Sequence, residues 1–215
     1  MITEKREDGR PTVILLNGSP HRSGTTARAL REVEGALISE GVECKSIWIG
    51  ASSVGGCTAC GGCRRSGRCV LNDVACRVAD MLEAADGIVI GSPVYYASPN
   101  GSLLGVLDRV FYSSGFDKWM KVGASVAVAR RGGTSTTFDV INKYFTISGM
   151  PVASSQYWNQ LHGSSAAEAE GDPEGLQTLR VLGRNMAYLI KCIRLGKEQL
   201  PRPTSEERIK TGFIR

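Results

Sequence analysis

The chain has 215 residues, of which 42% are hydrophobic, so it is long and apolar enough to bury a full core. Its 26 lysines and arginines against 21 acidic residues give a modest net charge of +5 that is spread along the chain, so we expect no nucleic-acid site. The polar start MITEKREDGRPT and the lack of any long apolar run predict a soluble, cytoplasmic protein without a membrane span.

The predicted elements alternate between short β-branched runs and helical segments, which is typical of a parallel sheet covered on both faces. Five strands are predicted, at residues 12–16, 42–49, 87–90, 124–129 and 151–156. We expect a three-layer α/β architecture with a flavodoxin-like, doubly wound sheet of order 2-1-3-4-5. Such sheets bind ligands where loops leave the carboxyl ends of the central strands.

The predicted helices fill the gaps between these strands. Apolar residues recur at helical spacing over residues 27–39 and again over residues 103–111. The last helix opens at Asp172-Pro173, an N-cap followed by a proline at the first helical position.

One domain, over residues 1–195, is predicted because no linker-like stretch divides the chain. The tail over residues 196–215 contains Pro201 and Pro203 and is predicted to be irregular. Because this tail has no evident place in a single core, we expect it to contact a neighbouring subunit.

The loop after the first strand, residues 18–26 or GSPHRSGTT, is called the phosphate loop. Its hydroxyls, its exposed backbone N–H groups and the helix N-terminus that follows it suit a phosphate dianion. The chain has no Walker motif, and no G-x-G-x-x-G follows this strand, so a nucleoside triphosphate is not expected. An ordinary capped turn is the alternative, because Ser and Thr are common N-caps.

Two further loops are predicted at the same edge of the sheet. The tyrosine loop, residues 91–100 or GSPVYYASPN, carries Tyr95 and Tyr96 side by side. Flat aromatic rings and backbone amides suit an isoalloxazine ring. The glycine loop, residues 130–134 or RRGGT, follows the fourth strand and adds a flexible segment over this edge.

Four cysteines form the run C-x2-C-x2-C-x5-C in the cysteine loop, residues 56–73. Thiolates are soft ligands, and four of them on one glycine-rich loop can wrap a [4Fe–4S] cluster, as a similar run does in bacterial ferredoxins. Electron transfer is therefore the leading interpretation, with structural zinc and free thiols as open alternatives. The candidate ligands are Cys57, Cys60, Cys63 and Cys69. Cys44, Cys76 and Cys192 are predicted to pack as small hydrophobes.

The four motifs in this order, G-S-P-x-x-x-G-x-T, the cysteine run, G-S-P-V-Y and a G-G loop, resemble the NADPH-dependent FMN reductase and iron–sulfur flavoprotein family. The resemblance covers roughly residues 12–193 and implies that the three loops bind FMN while the four cysteines hold [4Fe–4S]. The residues implied for the FMN phosphate are Ser19, His21, Arg22, Ser23, Thr25 and Thr26. Those implied for the flavin ring are Pro93, Val94, Tyr95 and Tyr96, with Gly132, Gly133 and Thr134 closing over it.

Two positions depart from the family pattern. An arginine often stands at the position of His21, which leaves open whether His21 or Arg22 supplies the positive charge. Asn72-Asp73 stands where the family often has paired aspartates, so the role of that pair is also open.

These features predict an FMN-dependent oxidoreductase that moves electrons between NAD(P)H or a small metabolite, FMN and a [4Fe–4S] cluster. The chemistry belongs to FMN, so no catalytic side chain is predicted, and Tyr95 and Tyr96 are the candidates that flank the flavin. The alternatives are a non-enzymatic electron carrier, a plain NAD(P)H:FMN or quinone reductase without a cluster, and a redox or iron sensor.

The expected partners are a small-molecule substrate or a redox partner protein. We also expect a homodimer or homotetramer, because reductases that resemble this chain cover the flavin with a neighbour's loops. Arg64, Arg65 and Arg68 lie inside the cysteine loop, where their charge would offset that of a cluster or attract an acidic partner.

Overall fold

The computed structural model of the chain describes residues 9–207 and 209–213. Its centre is a sheet of five parallel strands in the order β2-β1-β3-β5-β6, with a short strand β4 that pairs antiparallel to the end of β3. The strands are β1 (Thr12–Asn17), β2 (Glu43–Trp48), β3 (Gly87–Tyr95), β4 (Ser98–Pro99), β5 (Val122–Ala129) and β6 (Gln160–His162). With β4 set aside, the parallel strands follow the predicted order 2-1-3-4-5. The predicted doubly wound α/β architecture is confirmed.

Helices cover both faces of this sheet because alternate residues of each buried strand point to opposite sides. Val13 and Leu15 of β1 join one core cluster with the first and last helices. Ile14 and Leu16 join a second cluster with the helices over residues 74–84, 101–113 and 134–147. The helices are α1 (Thr25–Ser39), α2 (Cys63–Ser66), α3 (Val74–Ala84), α4 (Gly101–Ser113), α5 (Thr134–Ile147) and α6 (Pro173–Gln199), with a 3-10 helix at Glu168–Gly171.

The predicted fifth strand at residues 151–156 is wrong. This segment forms a single bridge, between Val152 and Gly123, and then leaves the sheet. The Ser155 hydroxyl contacts Asn159 Oδ1 and the Tyr157 carbonyl oxygen at 2.6 Å each, so local side-chain bonds replace the strand ladder. Pairing with β5 resumes at β6, where Leu161 is fully buried.

The C-terminal segment also differs from its predicted bounds, since residues 196–199 belong to α6. Residues 201–207 form neither helix nor strand. Arg202 holds this part against its own chain, donating to Asp117 Oδ2 at 2.6 Å and lying 4.5 Å from the centroid of the Trp119 ring. The predictions for residues 1–8, 208 and 214–215 concern positions outside the described residues.

None of the helices in the described part of the chain is both long enough and apolar enough to span a membrane.

Gly183 lets α6 approach α1 closely. A Cβ at this position would lie 2.6 Å from Ala36 Cβ and 2.8 Å from the Val33 carbonyl oxygen, neither of which belongs to a flexible side-chain end. We predict that Gly183→Ala lowers the free energy of unfolding by about 1–3 kcal/mol. Gly35, exposed on α1 with no neighbour within 4 Å of its Cβ position, is the matched control. Gly35→Ala should raise the free energy of unfolding by about 0.5–1 kcal/mol. Urea denaturation measures both, and equal changes would contradict the tight contact.

Candidate functional site

The phosphate loop lies against the strand that carries the tyrosine loop. The Gly18 N–H donates to the Gly91 carbonyl oxygen at 2.8 Å. A Cβ at Gly18 would lie 2.8 Å from that same oxygen, so only glycine allows this approach. The ends of β1 and β3 therefore present their loops at one edge of the sheet.

Asn17, which ends β1, fixes the shape of the phosphate loop. Its Oδ1 accepts from the Ser19 N–H at 3.0 Å, and its Nδ2 donates to the Arg22 carbonyl oxygen at 3.3 Å. Ser19 Oγ accepts from the His21 N–H at 3.1 Å, and Trp48 Nε1 donates to the Ser19 carbonyl oxygen at 2.7 Å. Asn17 was not among the predicted site residues, although an Asn-Gly pair directly after a buried strand is a recognisable turn signal.

The predicted phosphate-binding residues divide into a buried and an exposed group. Ser19, Thr25 and Thr26 are buried, whereas His21, Arg22 and Ser23 are exposed. Helix α1 starts after Gly24, which has no side chain to cap the first N–H groups. The loop thus surrounds an uncapped helix N-terminus with exposed basic residues, and both open candidates for the positive charge lie there.

The tyrosine loop is a hairpin between β3 and β4. β3 continues to Tyr95, well past the predicted end at residue 90. Tyr96 and Ala97 form the hairpin tip with φ of 51° and 55°, a left-handed conformation that side chains other than glycine seldom adopt. The Tyr96 side chain is fully exposed and Tyr95 is 44% exposed, while Pro93 is half-buried. The hairpin therefore holds both rings out over the sheet edge.

The glycine loop packs against this hairpin. Gly133 has a φ of 89°, and a Cβ there would lie 2.8 Å from Ala97 Cα and 2.9 Å from Val94 Cγ1. Only glycine meets both constraints. Gly132 beside it is exposed, and Thr134 is buried at the start of α5. The predicted proximity of these two loops is thus present in the structure.

β6 and the residue that follows it connect the phosphate loop to the glycine loop. The Thr25 hydroxyl contacts the Gly163 carbonyl oxygen at 3.3 Å, and the Thr134 hydroxyl contacts Gln160 Oε1 at 2.6 Å. The phosphate loop and the glycine loop are therefore both tied to the same short strand. The three loops with their predicted residues share one edge of the sheet.

All four cysteines of the run line one pocket. Cys57 and Cys60 are exposed, and Cys63 and Cys69 are half-buried. The backbone N–H of Gly62 and the Thr58 hydroxyl hold the pKa of the Cys60 thiol below its usual value, which favours the thiolate. Within residues 9–207 and 209–213, however, no three His, Cys, Asp or Glu side chains are arranged so that they could hold a metal ion.

The other three cysteines have separate environments. Cys76 is 2% exposed, as predicted for a packed thiol. Burial raises the pKa of the half-buried Cys44 thiol to about 12, so this side chain stays protonated. Cys192 on α6 is exposed, and its predicted role as a packed hydrophobe is wrong.

Arg109 on α4 was missed by the sequence analysis. Its side chain is 1% exposed, and its guanidinium forms a two-pronged pair with Asp73 at 2.6 and 2.7 Å. It also donates to Cys69 Sγ at 3.2 Å, to the Gly55 carbonyl oxygen at 3.2 Å and to the Leu71 carbonyl oxygen at 2.6 Å. A charged residue inside the apolar stripe over residues 103–111 was the available signal, because a buried charge needs a partner.

Asp73 therefore has two roles that the sequence left open. Its Oδ1 accepts from the Ala75 N–H at 2.9 Å and caps α3. Burial alone would raise the pKa of Asp73, but the hydrogen bonds from Arg109 and Ala75 outweigh burial and hold that pKa below its usual value. The carboxylate is thus charged where it pairs with Arg109.

Comparison with known proteins identifies the family and the relatives of the chain. Residues 11–163 match the family described as NADPH-dependent FMN reductase. The chain is 33% identical over 190 residues to an iron–sulfur flavoprotein of Methanocaldococcus jannaschii, covering 85% of this chain and 98% of that protein. It is 27% identical to an iron–sulfur flavoprotein of Methanosarcina thermophila, covering 86% and 97%. A solved flavodoxin from the domain Archaea superposes with a TM-score of 0.58 at 16% identity, covering 84% of this chain and 99% of that one.

The flavodoxin likeness confirms the predicted flavodoxin-like fold. The family match covers well over half of the chain and confirms the predicted family and enzyme class. The chain belongs to the NADPH-dependent FMN reductase family, as an FMN-dependent oxidoreductase related to the iron–sulfur flavoproteins.

Proposed function

We propose that the chain is an iron–sulfur flavoprotein that moves electrons between NAD(P)H, FMN at the sheet edge and a [4Fe–4S] cluster in the cysteine loop. The observation that carries this proposal is that all four cysteines of the run line one pocket. A pocket lined by four thiols offers soft ligands to iron, and the loop's Gly61 and Gly67 take left-handed φ of 72° and 67°, which lets the chain turn between ligands. The relatives named above as iron–sulfur flavoproteins support the same proposal.

The phosphate loop fits the FMN phosphate. The uncapped N-terminus of α1 supplies free N–H groups and a partial positive charge. Arg22 lies exposed beside it, with its guanidinium 5.8 Å from the centroid of the Trp48 ring. Ser19 and Thr25 add buried hydroxyls to the loop, so a phosphate dianion would meet hydrogen-bond donors from the backbone and from side chains.

The hairpin and the glycine loop fit the flavin ring. Tyr95 and Tyr96 extend from the sheet edge and would cover an aromatic ring system, and Gly133 fixes the hairpin position. Bound FMN would accept a hydride and release electrons one at a time. In our proposal the chain's own part is to hold the ring against the tyrosines and to keep water from it.

Part of the positive charge in the cysteine loop is already paired within the chain. Arg68 forms an exposed ion pair with Asp80 of α3, and Tyr112 of α4 raises the pKa of Arg64 above its usual value. Exposed contacts of this kind contribute little to the stability of the loop. We propose that the loop arginines offset the charge of the cluster or attract an acidic redox partner.

A plain NAD(P)H-dependent flavin reductase without a cluster is the second candidate. It is favoured by the lack of a metal-binding group of three ligand side chains among the described residues. The iron and sulfide content of protein that has been purified without air and reconstituted with iron and sulfide distinguishes the two functions. Four iron and four sulfide per chain with broad visible absorption would support the first function, whereas FMN without iron would support the second. Bleaching of the flavin on addition of NADPH would exclude a carrier that has no nicotinamide reaction.

We also infer a cytoplasmic protein, because a reducing compartment suits a chain whose seven cysteines are all free in the structure.

A homodimer or larger homo-oligomer is our proposal for the assembly. Tyr157 and Trp158 support it, since their side chains are 54% exposed with ring centroids 5.0 Å apart, and paired exposed aromatics are typical of interfaces. Light scattering should return a mass of at least two chains. A monodisperse monomer with full NADPH-dependent activity would contradict the assembly.

The phosphate loop yields a prediction for flavin binding. Ser19→Ala with Arg22→Ala should remove one hydroxyl and one charge from the site without disturbing the core. Charge-assisted hydrogen bonds contribute about 1.5–3 kcal/mol each, so FMN affinity should fall about ten- to hundredfold per lost bond. Fluorescence titration of the apoprotein measures this. Arg31→Ala, on the exposed side of α1, is the matched control and should keep the original affinity. Equal affinities in all three proteins would move the phosphate site elsewhere.

The cysteine run yields a prediction for the cluster. Cys60→Ala removes one of four thiols and should abolish cluster absorption and the paramagnetic signal of the reduced cluster, while FMN stays bound in its separate loops. Reduction of FMN by NADPH should continue, and transfer to a one-electron acceptor should fall at least about tenfold. Cys192→Ala, an exposed cysteine on α6, is the control and should behave as the original protein. Unchanged single-electron transfer in Cys60→Ala would place the cluster off the electron path.

A further inference from the structure

One face of α4 carries the contacts to the segment that leads into the cysteine loop. The Val54 N–H donates to Ser102 Oγ at 3.4 Å. A Cβ at Gly105 would lie 3.1 Å from the Val54 carbonyl oxygen and 3.3 Å from that of Gly55. Arg109, one turn further, donates to the Gly55 carbonyl oxygen. Residues 102, 105 and 109 recur at helical spacing, so this segment lies along one stripe of α4.

The N-terminal end of α4 is fixed to the tyrosine loop. The Asn100 N–H donates to Ser92 Oγ at 3.1 Å, and Asn100 Oδ1 accepts from the Leu103 N–H at 3.2 Å as the N-cap of α4. A single rigid helix therefore starts at the proposed flavin site and ends at the pocket that the four thiols line, where Tyr112 and Ser113 also contribute.

Arg109 is the buried charge on this helix. Within the described part of the chain its guanidinium donates only to residues 55–73, namely to Gly55, Cys69, Leu71 and Asp73. A buried guanidinium is stable only when such partners are in place. The loop conformation that satisfies Arg109 is the one that holds Cys69 in the thiol pocket, so Arg109 selects this conformation from the many that a glycine-rich loop can adopt.

We propose that Arg109 is a positioning residue for the cluster, fixing Cys69 through Asp73 and donating its Nε–H to the Cys69 sulfur when that sulfur is a ligand. This inference rests on the proposed function. An N–H bond to a ligand sulfur and a nearby positive charge stabilise the reduced, more negative cluster and so raise its reduction potential. Lysine cannot reproduce the arrangement, because a single ammonium lacks the planar fork that reaches a carboxylate and a sulfur together.

The experiment compares Arg109→Lys and Asp73→Asn with Asp80→Asn. Asparagine caps a helix as well as aspartate does, so Asp73→Asn removes the charge pairing and keeps the start of α3. Asp80 pairs with Arg68 on the exposed side of the same loop and provides the matched control. We expect iron to be lost to a chelator about ten- to hundredfold faster in the first two variants and at the original rate in Asp80→Asn.

Two further measurements separate positioning of the cluster from support of the fold. The reduction potential of cluster-loaded Arg109→Lys should be more negative than that of the original protein, whereas a purely structural role would leave the potential unchanged. Hydrogen exchange of residues 54–73 in FMN-bound, cluster-free protein should be faster in Asp73→Asn, which tests the anchor without any iron. If Arg109→Lys does not fold, the rates of iron loss and of hydrogen exchange in Asp73→Asn decide between the outcomes.

The outcomes distinguish this inference from the proposed function. An original protein that takes up no iron under reconstitution overturns the cluster and with it the ligand role of Arg109. An original protein that loads while Asp73→Asn matches it in iron loss and in exchange overturns the role of Arg109 alone. A potential of Arg109→Lys equal to that of the original protein also overturns it.

Discussion

The need to bury both faces of a parallel sheet determines where polar chemistry can occur in this molecule. All six residues of β1 are buried, as are the first six of β3 and all eight of β5. Strands enclosed in this way have no room for exposed polar side chains, so polar and ligand-binding groups collect where the strands end. Asn17, at the last position of β1, is where the apolar run stops and hydrogen bonds to the phosphate loop start.

Close backbone approach then unites the loops at that edge. Gly18 brings the phosphate loop onto β3, and Gly133 brings the glycine loop onto the hairpin tip. In both places a Cβ would collide with backbone atoms, which cannot move aside as a flexible side-chain end can. The site is therefore held by its glycines, while its hydroxyl, aromatic and basic groups extend from a nearly fixed frame.

The sequence predicted what depends on local pattern. Apolar runs located β1, β3 and β5, and the motif order located all four loops, because strand burial and turn chemistry are written in neighbouring residues. The two main errors have different causes, one local and one a contact between distant segments. Residues 151–156 looked like a strand, yet a local bond between Ser155 and Asn159 delays pairing with β5 until Gln160. Arg109 looked like one charge in an amphipathic helix, since its partners lie dozens of residues earlier in the chain.

The separation between the cysteine loop and its buried anchor has a consequence for biosynthesis. Arg109 follows Cys69 by 40 residues, so the thiols emerge from the ribosome before the arginine does. At about 5–20 residues per second, the interval lasts about 2–8 seconds. During that time the loop lacks the residue that orders it, and iron delivered to the nascent chain would meet thiols without a fixed geometry. The cluster that we propose would therefore assemble after α4 has emerged, when Arg109 can order the loop.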